Sequence, residues 1–96
     1  MNRLEERTLR EIEKDNDRKE VRAPMSGIFY RSPAPDQPPY VEIGDIVKKK
    51  QVLALLETMK VFQKVKSPAA GKIVEIAAVN ETALKDEELM FVIEVE

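Results

Sequence analysis

The sequence predicts an all-β domain: a flattened antiparallel β-barrel or sandwich built from two interlocked repeats related by a pseudo-two-fold axis. Three observations carry this. Val21-Arg22-Ala23-Pro24-Met25-Ser26-Gly27 is echoed by Val65-Lys66-Ser67-Pro68-Ala69-Ala70-Gly71 at an offset of 44. Val47…Val52-Leu53-Ala54-Leu55…Glu57 is echoed by Leu84…Leu89-Met90-Phe91-Val92…Glu94 at an offset of 37. The apolar runs are short, rich in β-branched residues and bounded by Pro, Gly and charged segments, which suits strands. An internal duplication is the simplest account. The offsets differ by seven, so the first half carries seven extra residues between Gly27 and Val47.

The elements follow in order. Residues 1–20 hold six basic and seven acidic side chains with only Leu4, Leu9 and Ile12 as large aliphatics. Leu4, Thr8 and Ile12 share a helical face, but the stripe is thin. A charged leader, frayed or solvated, is therefore expected in preference to a docking helix. From Val21 to Tyr30 a strand is expected, interrupted by Pro24 and Gly27 and then resumed. Ser32 to Pro39 contains four prolines, which deny ladder donors and make a stiff projecting loop, the place of the seven-residue insertion. Tyr40 to Ile43 is expected to resume strand character. Gly44-Asp45 reads as a turn, Ile46-Val47 as a short strand and Lys48 to Gln51 as a polar loop. Alternate aliphatics, Ile28, Val47, Val52, Ile73, Ile76, Leu84, Leu89 and Val92, are expected to fill the centre.

The two halves meet at Glu57-Thr58-Met59-Lys60. Val52 to Leu56 and Val61 to Lys66 both suit strands, so a hairpin is expected between them, with Lys60 held in water on a rigid support. Met59-Lys60 is a poor choice for a tight two-residue turn, which favours Asn-Gly or Asp-Gly because its central positions need positive φ. Either the turn is of another kind, or these residues are kept for what they do. In a duplicated fold the termini lie near the end opposite this hairpin.

Composition excludes several classes. Sixteen basic against 18 acidic residues give a net charge of −2, with no charge field for nucleic acid or an anionic membrane. No cysteine and no histidine are present, so the commonest acid–base group, nucleophile and transition-metal ligands are missing. No Gly-rich phosphate loop can be drawn from three glycines. A self-contained enzyme is not expected, and no catalytic or metal-ligating residue is assigned. No run is long enough to span a membrane, and a cytoplasmic setting is expected.

Residues 21–96 resemble the biotinyl domain of the biotin carboxyl carrier protein family of acetyl-CoA carboxylase, within the wider biotin/lipoyl attachment domains. Arg22-Ala23-Pro24-Met25-Ser26-Gly27-Ile28-Phe29-Tyr30-Arg31-Ser32-Pro33 looks like the family's opening signature. Pro33, Ala34, Pro35, Asp36, Gln37, Pro38 and Pro39 stand where the family carries its "thumb" insertion. Glu57-Thr58-Met59-Lys60-Val61 resembles the attachment sequence, with Thr58 where Ala is more familiar. Ser67-Pro68-Ala69-Ala70-Gly71 closes the second repeat. The chain departs from the family at Lys50-Gln51, where a second Gly-Asp is common, and in lacking a long Pro/Ala-rich linker.

The resemblance implies a barrel-sandwich hybrid with biotin joined covalently to Lys60 by a biotin protein ligase. Glu57, Thr58, Met59 and Val61 would serve ligase recognition, and the thumb would contact the tethered ring. The biotin would take up CO₂ at a biotin carboxylase site and deliver it at a carboxyltransferase site in fatty acid synthesis, the carrier itself being non-catalytic. The attacking amine must be neutral, and the chain offers no evident base, so activation would fall to the ligase. Rival readings are a lipoyl carrier, a carrier for another biotin-dependent carboxylase or decarboxylase, and an unmodified hairpin interaction module.

Overall fold

The computed structural model describes residues 17–96, which form eight strands. These are β1 (Arg18–Arg22), β2 (Gly27–Tyr30), β3 (Ile46–Val47), β4 (Val52–Thr58), β5 (Val61–Lys66), β6 (Gly71–Ile76), β7 (Thr82–Leu84) and β8 (Leu89–Val95). All strand pairing is antiparallel. Two four-stranded sheets result, ordered β1-β8-β6-β3 and β5-β4-β2-β7. The described residues contain no helix. The short leader helix considered from sequence falls largely on residues 1–16, outside the described residues, whereas Arg18 to Glu20 belong to β1 and pair with β8.

The duplication read from sequence organises the whole molecule. An offset of 44 carries β1 onto β5 and β2 onto β6; an offset of 37 carries β3 onto β7 and β4 onto β8. Applied to the first sheet, β1-β8-β6-β3, these substitutions give β5-β4-β2-β7, which is the second sheet. Each sheet therefore takes strands from both halves, and neither half contains a complete sheet. The polar turns obey the same relation. Lys48 N–H donates to Gln51 Oε1 at 3.0 Å, and Lys85 N–H to Glu88 Oε1 at 3.1 Å. Gly27 and Gly71 are equivalent as well. A Cβ on Gly27 would stand 2.7 Å from the Glu57 carbonyl oxygen, and one on Gly71 would overlap the Glu94 carbonyl oxygen. Both glycines let backbones approach where a side chain cannot fit.

The core corrects half of the expected interior. Val47, Ile73 and Leu84 are buried as expected, but Ile28, Val52, Ile76, Leu89 and Val92 are only partly buried. Their neighbours Phe29, Leu53, Met90, Phe91 and Ile93 fill the centre, with Ala54 and Leu56. In β4 and β8 the cause is a one-residue slip in register. Val52 pairs with Lys66 and Ala54 with Val65, leaving Leu53 as an extra residue; Met90 is likewise extra between Leu89 and Phe91, which pair with Arg22 and Val21. At each slip two successive side chains turn inward, which strict alternation does not anticipate. At the centre Phe29 and Phe91 meet with ring centroids 5.8 Å apart and planes tilted 55°, a favoured aromatic arrangement.

Tyr40 to Ile43 is not a strand. Pro38 and Pro39 remove the donors just before it, and the Glu42 N–H is taken by Asp45 Oδ2 at 2.9 Å. The segment instead closes the inserted loop, with Tyr40 N–H donating to the Arg31 carbonyl at 2.8 Å and Val41 buried beneath. Within the loop, Ser32 Oγ donates to the Ala34 carbonyl at 2.9 Å and Gln37 N–H to the same carbonyl at 3.1 Å. The insertion is thus a folded projection rather than an open loop.

Candidate functional site

β4 and β5 form a hairpin whose last pair is Thr58 and Val61. Met59 and Lys60 make the whole turn, at φ of 50° and 65°. Two central residues at positive φ define the type I′ pattern, which matches the twist of the flanking strands and is normally built from Asn and Gly. Of the two explanations left open by the sequence, the first fails: the turn is not of another kind but the tight kind, made from residues that resist it. Each costs about 1–2 kcal/mol in the left-handed region. Met59 is 92% exposed, and Lys60 is exposed beside it. Val61 is exposed, while Glu57 and Thr58 are half-buried in the body of the hairpin.

The position of this turn also follows from the duplication. The offset of 37 carries Met59 onto Glu96, and the offset of 44 carries Asp17 onto Val61. At that equivalent place Val95 N–H donates to the Asp17 carbonyl at 2.6 Å. The Met59-Lys60 turn thus joins β4 to β5, whereas their equivalents β8 and β1 pair side by side without a hairpin between them. It presents one lysine at one end of the pseudo-symmetric domain.

Beside the hairpin, the outer face of the β5-β4-β2-β7 sheet carries Tyr30, Leu55 and Phe62. The Tyr30 and Phe62 rings lie 5.8 Å apart and are tilted by 47°. The Tyr30 hydroxyl donates to Glu57 Oε1 at 2.9 Å. This bond, with desolvation and the nearby charges of Glu57 and Glu81, raises the phenol above its ordinary 10.0 and keeps it a donor. Glu57 is thereby tied into the sheet face rather than left as a solvated strand end. The inserted loop borders a half-open recess of about 150 Å³ on this face, lined by Tyr30, Leu55 and Phe62 of the sheet, by Ser32, Pro33, Ala34 and Pro35 of the loop, and by Asn80 and Glu81. Asp36, Gln37, Pro38 and Pro39 do not line it. A wider, shallow cleft of about 580 Å³ lies between Arg31, Glu42, Ile76 and Val79. It includes no hairpin residue, so the smaller cavity is the one within reach of Lys60. Phe62, in β5, stands two residues after Lys60 of the turn, about 7 Å along the chain.

Sequence reasoning did not single out Tyr30, Leu55 or Phe62. A signal was present in the duplication: their equivalents are Val74, Val92 and Arg18, so the aromatic pair occurs on one sheet alone, the sheet under the insertion. Among the described residues no cluster of acidic side chains could hold a metal ion, and no helix is long and apolar enough to cross a membrane.

A two-sheet sandwich of interlocked repeats that holds one lysine at a hairpin tip, with an apolar recess next to it, is the architecture of a biotin/lipoyl attachment domain. The chain belongs to that family: residues 19–93 match the Biotin_lipoyl family, described as biotin-requiring enzyme. It is 42% identical over 74 residues to the biotin carboxyl carrier protein of acetyl-CoA carboxylase, chloroplastic, of Glycine max, covering 77% of this chain and 28% of that one. To the biotin carboxyl carrier protein of acetyl-CoA carboxylase of Streptococcus pyogenes serotype M6 it is 43% identical over 65 residues, covering 68% and 39%. The fold also matches the Kluyveromyces lactis urea carboxylase crystal structure with a TM-score of 0.67 at 23% identity, over 80% of this chain and 6% of that one. The chain thus spans well under half the length of these two curated relatives.

Proposed function

We propose that this chain is the biotinyl domain of a biotin carboxyl carrier protein of acetyl-CoA carboxylase, with biotin linked as an amide to Lys60 Nζ. The observation that carries the reading is the strained turn: a lysine is kept at a position where Gly would be cheaper. The names borne by the relatives and the inserted loop over an apolar recess support the same reading. Bound biotin would supply the chemistry of CO₂ carriage, between a biotin carboxylase site and a carboxyltransferase site.

The chain's own residues have separate tasks in this account. The type I′ turn fixes the Lys60 amine at the tip and directs it into solvent, where a biotin protein ligase can reach it. Exposed Met59 and Val61 flank it as recognition surface. Thr58 closes the hairpin, and Glu57, held by Tyr30, sets the orientation of its base. Pro33 to Pro35 and the Tyr30–Phe62 pair offer the fused ring an apolar resting place, while Asp36 to Pro39 give the projection its stiffness. Docking the tethered ring there would shelter it between visits. The covalent arm raises effective concentration at each partner site. No acid–base group is needed at the tip, and the domain acts as a non-catalytic carrier; it begins before the expected boundary at Val21, because Arg18 to Glu20 already belong to β1. We carry forward the cytoplasmic setting expected from sequence, the chloroplastic relatives marking an organelle as the alternative.

The test is intact mass after incubation with biotin, ATP and a biotin protein ligase, beside Lys60→Arg. One biotinyl group on the wild type and none on the variant is expected. A folded wild type that takes none, with the ligase active on a known acceptor, would contradict the reading; uptake of lipoate instead would redirect it to a lipoyl carrier.

A further inference from the structure

The internal two-fold gives each position of one half an equivalent in the other, so a difference between equivalents is not dictated by the fold. One such difference is a difference of charge. The loop from β3 to β4 carries Lys48, Lys49 and Lys50, and β5 carries Lys64 and Lys66; all five are exposed. Lys50 N–H donates to the Ser67 carbonyl and Ser67 N–H to the Gln51 carbonyl, both at 2.8 Å. With Val52 paired to Lys66, loop and strand form one corner.

The equivalents of these five lysines are Lys85, Asp86, Glu87, Glu20 and Arg22. The backbone is the same there: Lys50 and Glu87 have φ of 73° and 67°. The charge is not, because two bases face three acids. Arg22 is ion-paired to Glu20 and also donates to the Glu87 carbonyl at 3.0 Å. Among the described residues, none of the five lysines lies within ion-pair distance of an acid. Charge on an edge strand discourages edge-to-edge pairing, yet the equivalent edge strand, β1, meets that need with mixed signs. Five lysines with no ion-pair partner among the described residues exceed what edge protection requires, and their mutual repulsion is unfavourable.

We propose that this basic corner is an electrostatic docking surface for an acidic patch on the biotin carboxylase that acts on the group carried by Lys60. The inference rests on the carrier function proposed above. Lys60 immediately precedes β5 and Lys66 ends it, about 20 Å apart along the strand. Docking at the corner would therefore orient the tip without occupying it. A partner visited at every turnover gains most from fast association and fast release. Charge steering supplies both without a large buried interface. A ligase, which acts once per chain, gains far less.

The experiment measures kcat and KM of the biotin carboxylase from the same organism, with the biotinylated chain as substrate, at low and high ionic strength. K48E/K49E/K66E is compared with R18E/K19E/K85E, which makes the same net charge change along β1 and on the loop from β7 to β8, away from the basic corner. The first variant should raise KM about tenfold at low salt with kcat unchanged, the difference fading near 0.5 M salt as screening takes over. The second should stay within about twofold of wild type. The neutral variant K48Q/K49Q/K66Q should fall between wild type and the first, which keeps the test valid if charge reversal disturbs folding. Equal losses in both charge-reversed variants, a loss that survives high salt, or no loss at all would overturn the proposal. Failure of wild-type Lys60 to accept biotin would overturn the carrier reading with it. A normally biotinylated chain indifferent to these lysines overturns this inference alone.

Discussion

Replacing Met59-Lys60 by Asn-Gly should make the domain more stable while removing the lysine that the proposed function needs. Both residues sit in the left-handed region, at φ of 50° and 65°. For ordinary L-residues that region costs about 1–2 kcal/mol each, so the turn holds about 2–4 kcal/mol of local strain. Gly removes nearly all of its share, and Asn, whose short polar side chain tolerates the region, removes part. Against this, Gly widens the unfolded ensemble, a loss of about 0.5–1 kcal/mol. The net gain should be about 1–2 kcal/mol, since hydrogen bonding in the β4–β5 ladder is unchanged. For a domain of this size that corresponds to a rise in Tm of about 5–15 °C. Thermal and urea unfolding followed by circular dichroism, with equal m-values as a check on the unfolded state, would measure it. A variant no more stable than wild type would refute the reasoning, because Met59 and Lys60 would then suit their conformation. A gain would show a functional residue held at a cost in stability.

Three further outcomes follow from the same geometry. Lys50→Gly should stabilise the chain by up to about 1 kcal/mol, because Lys50 lies at φ of 73° in an exposed turn; chemical denaturation gives the value. Gly27→Ala should destabilise it by about 2 kcal/mol or more, since the added Cβ meets the Glu57 carbonyl at 2.7 Å and β2 must move away from β4; a lower urea midpoint would register it. In Tyr40→Phe, the remaining Tyr30 should ionise above 10.0 by ultraviolet titration, and Glu57→Gln should bring it down. The folded state holds this phenol proton more tightly than the unfolded state. Its contribution to stability is therefore whole below pH 10 and is lost as pH rises through the raised value, a dependence that Tyr30→Phe should flatten.

The architecture was legible because the duplication is written in residues that cannot be exchanged freely. Pro24 and Pro68 interrupt the strands, and Gly27 and Gly71 permit close backbone contact, so the same corners recur in both halves. The seven-residue difference in offset located the insertion for the same reason. The phase of the core was not legible. Leu53 and Met90 are extra residues opposite β5 and β1, and nothing in a run such as Val52-Leu53-Ala54-Leu55 marks which residue will slip. Tyr40 to Ile43 misled because its composition suits a strand while the preceding prolines deny it a ladder. Lys60 was legible as a presented lysine, and the awkward turn chemistry of Met59-Lys60 already pointed to a role beyond folding. The recess beside it was not, because Tyr30 and Phe62 are far apart in sequence and meet only when β2, β4 and β5 align.

Peptide mapping by mass spectrometry of the chain after treatment with a biotin protein ligase, ATP and biotin tests the central claim most directly. The sequence holds ten lysines, several as exposed as Lys60, so location carries more weight than modification alone. The account predicts a single biotinyl group on the peptide containing Met59-Lys60 and none on the Lys48–Lys50 loop, Lys64 or Lys66. Biotin spread over the exposed lysines, or placed on any of them in preference to Lys60, would contradict it.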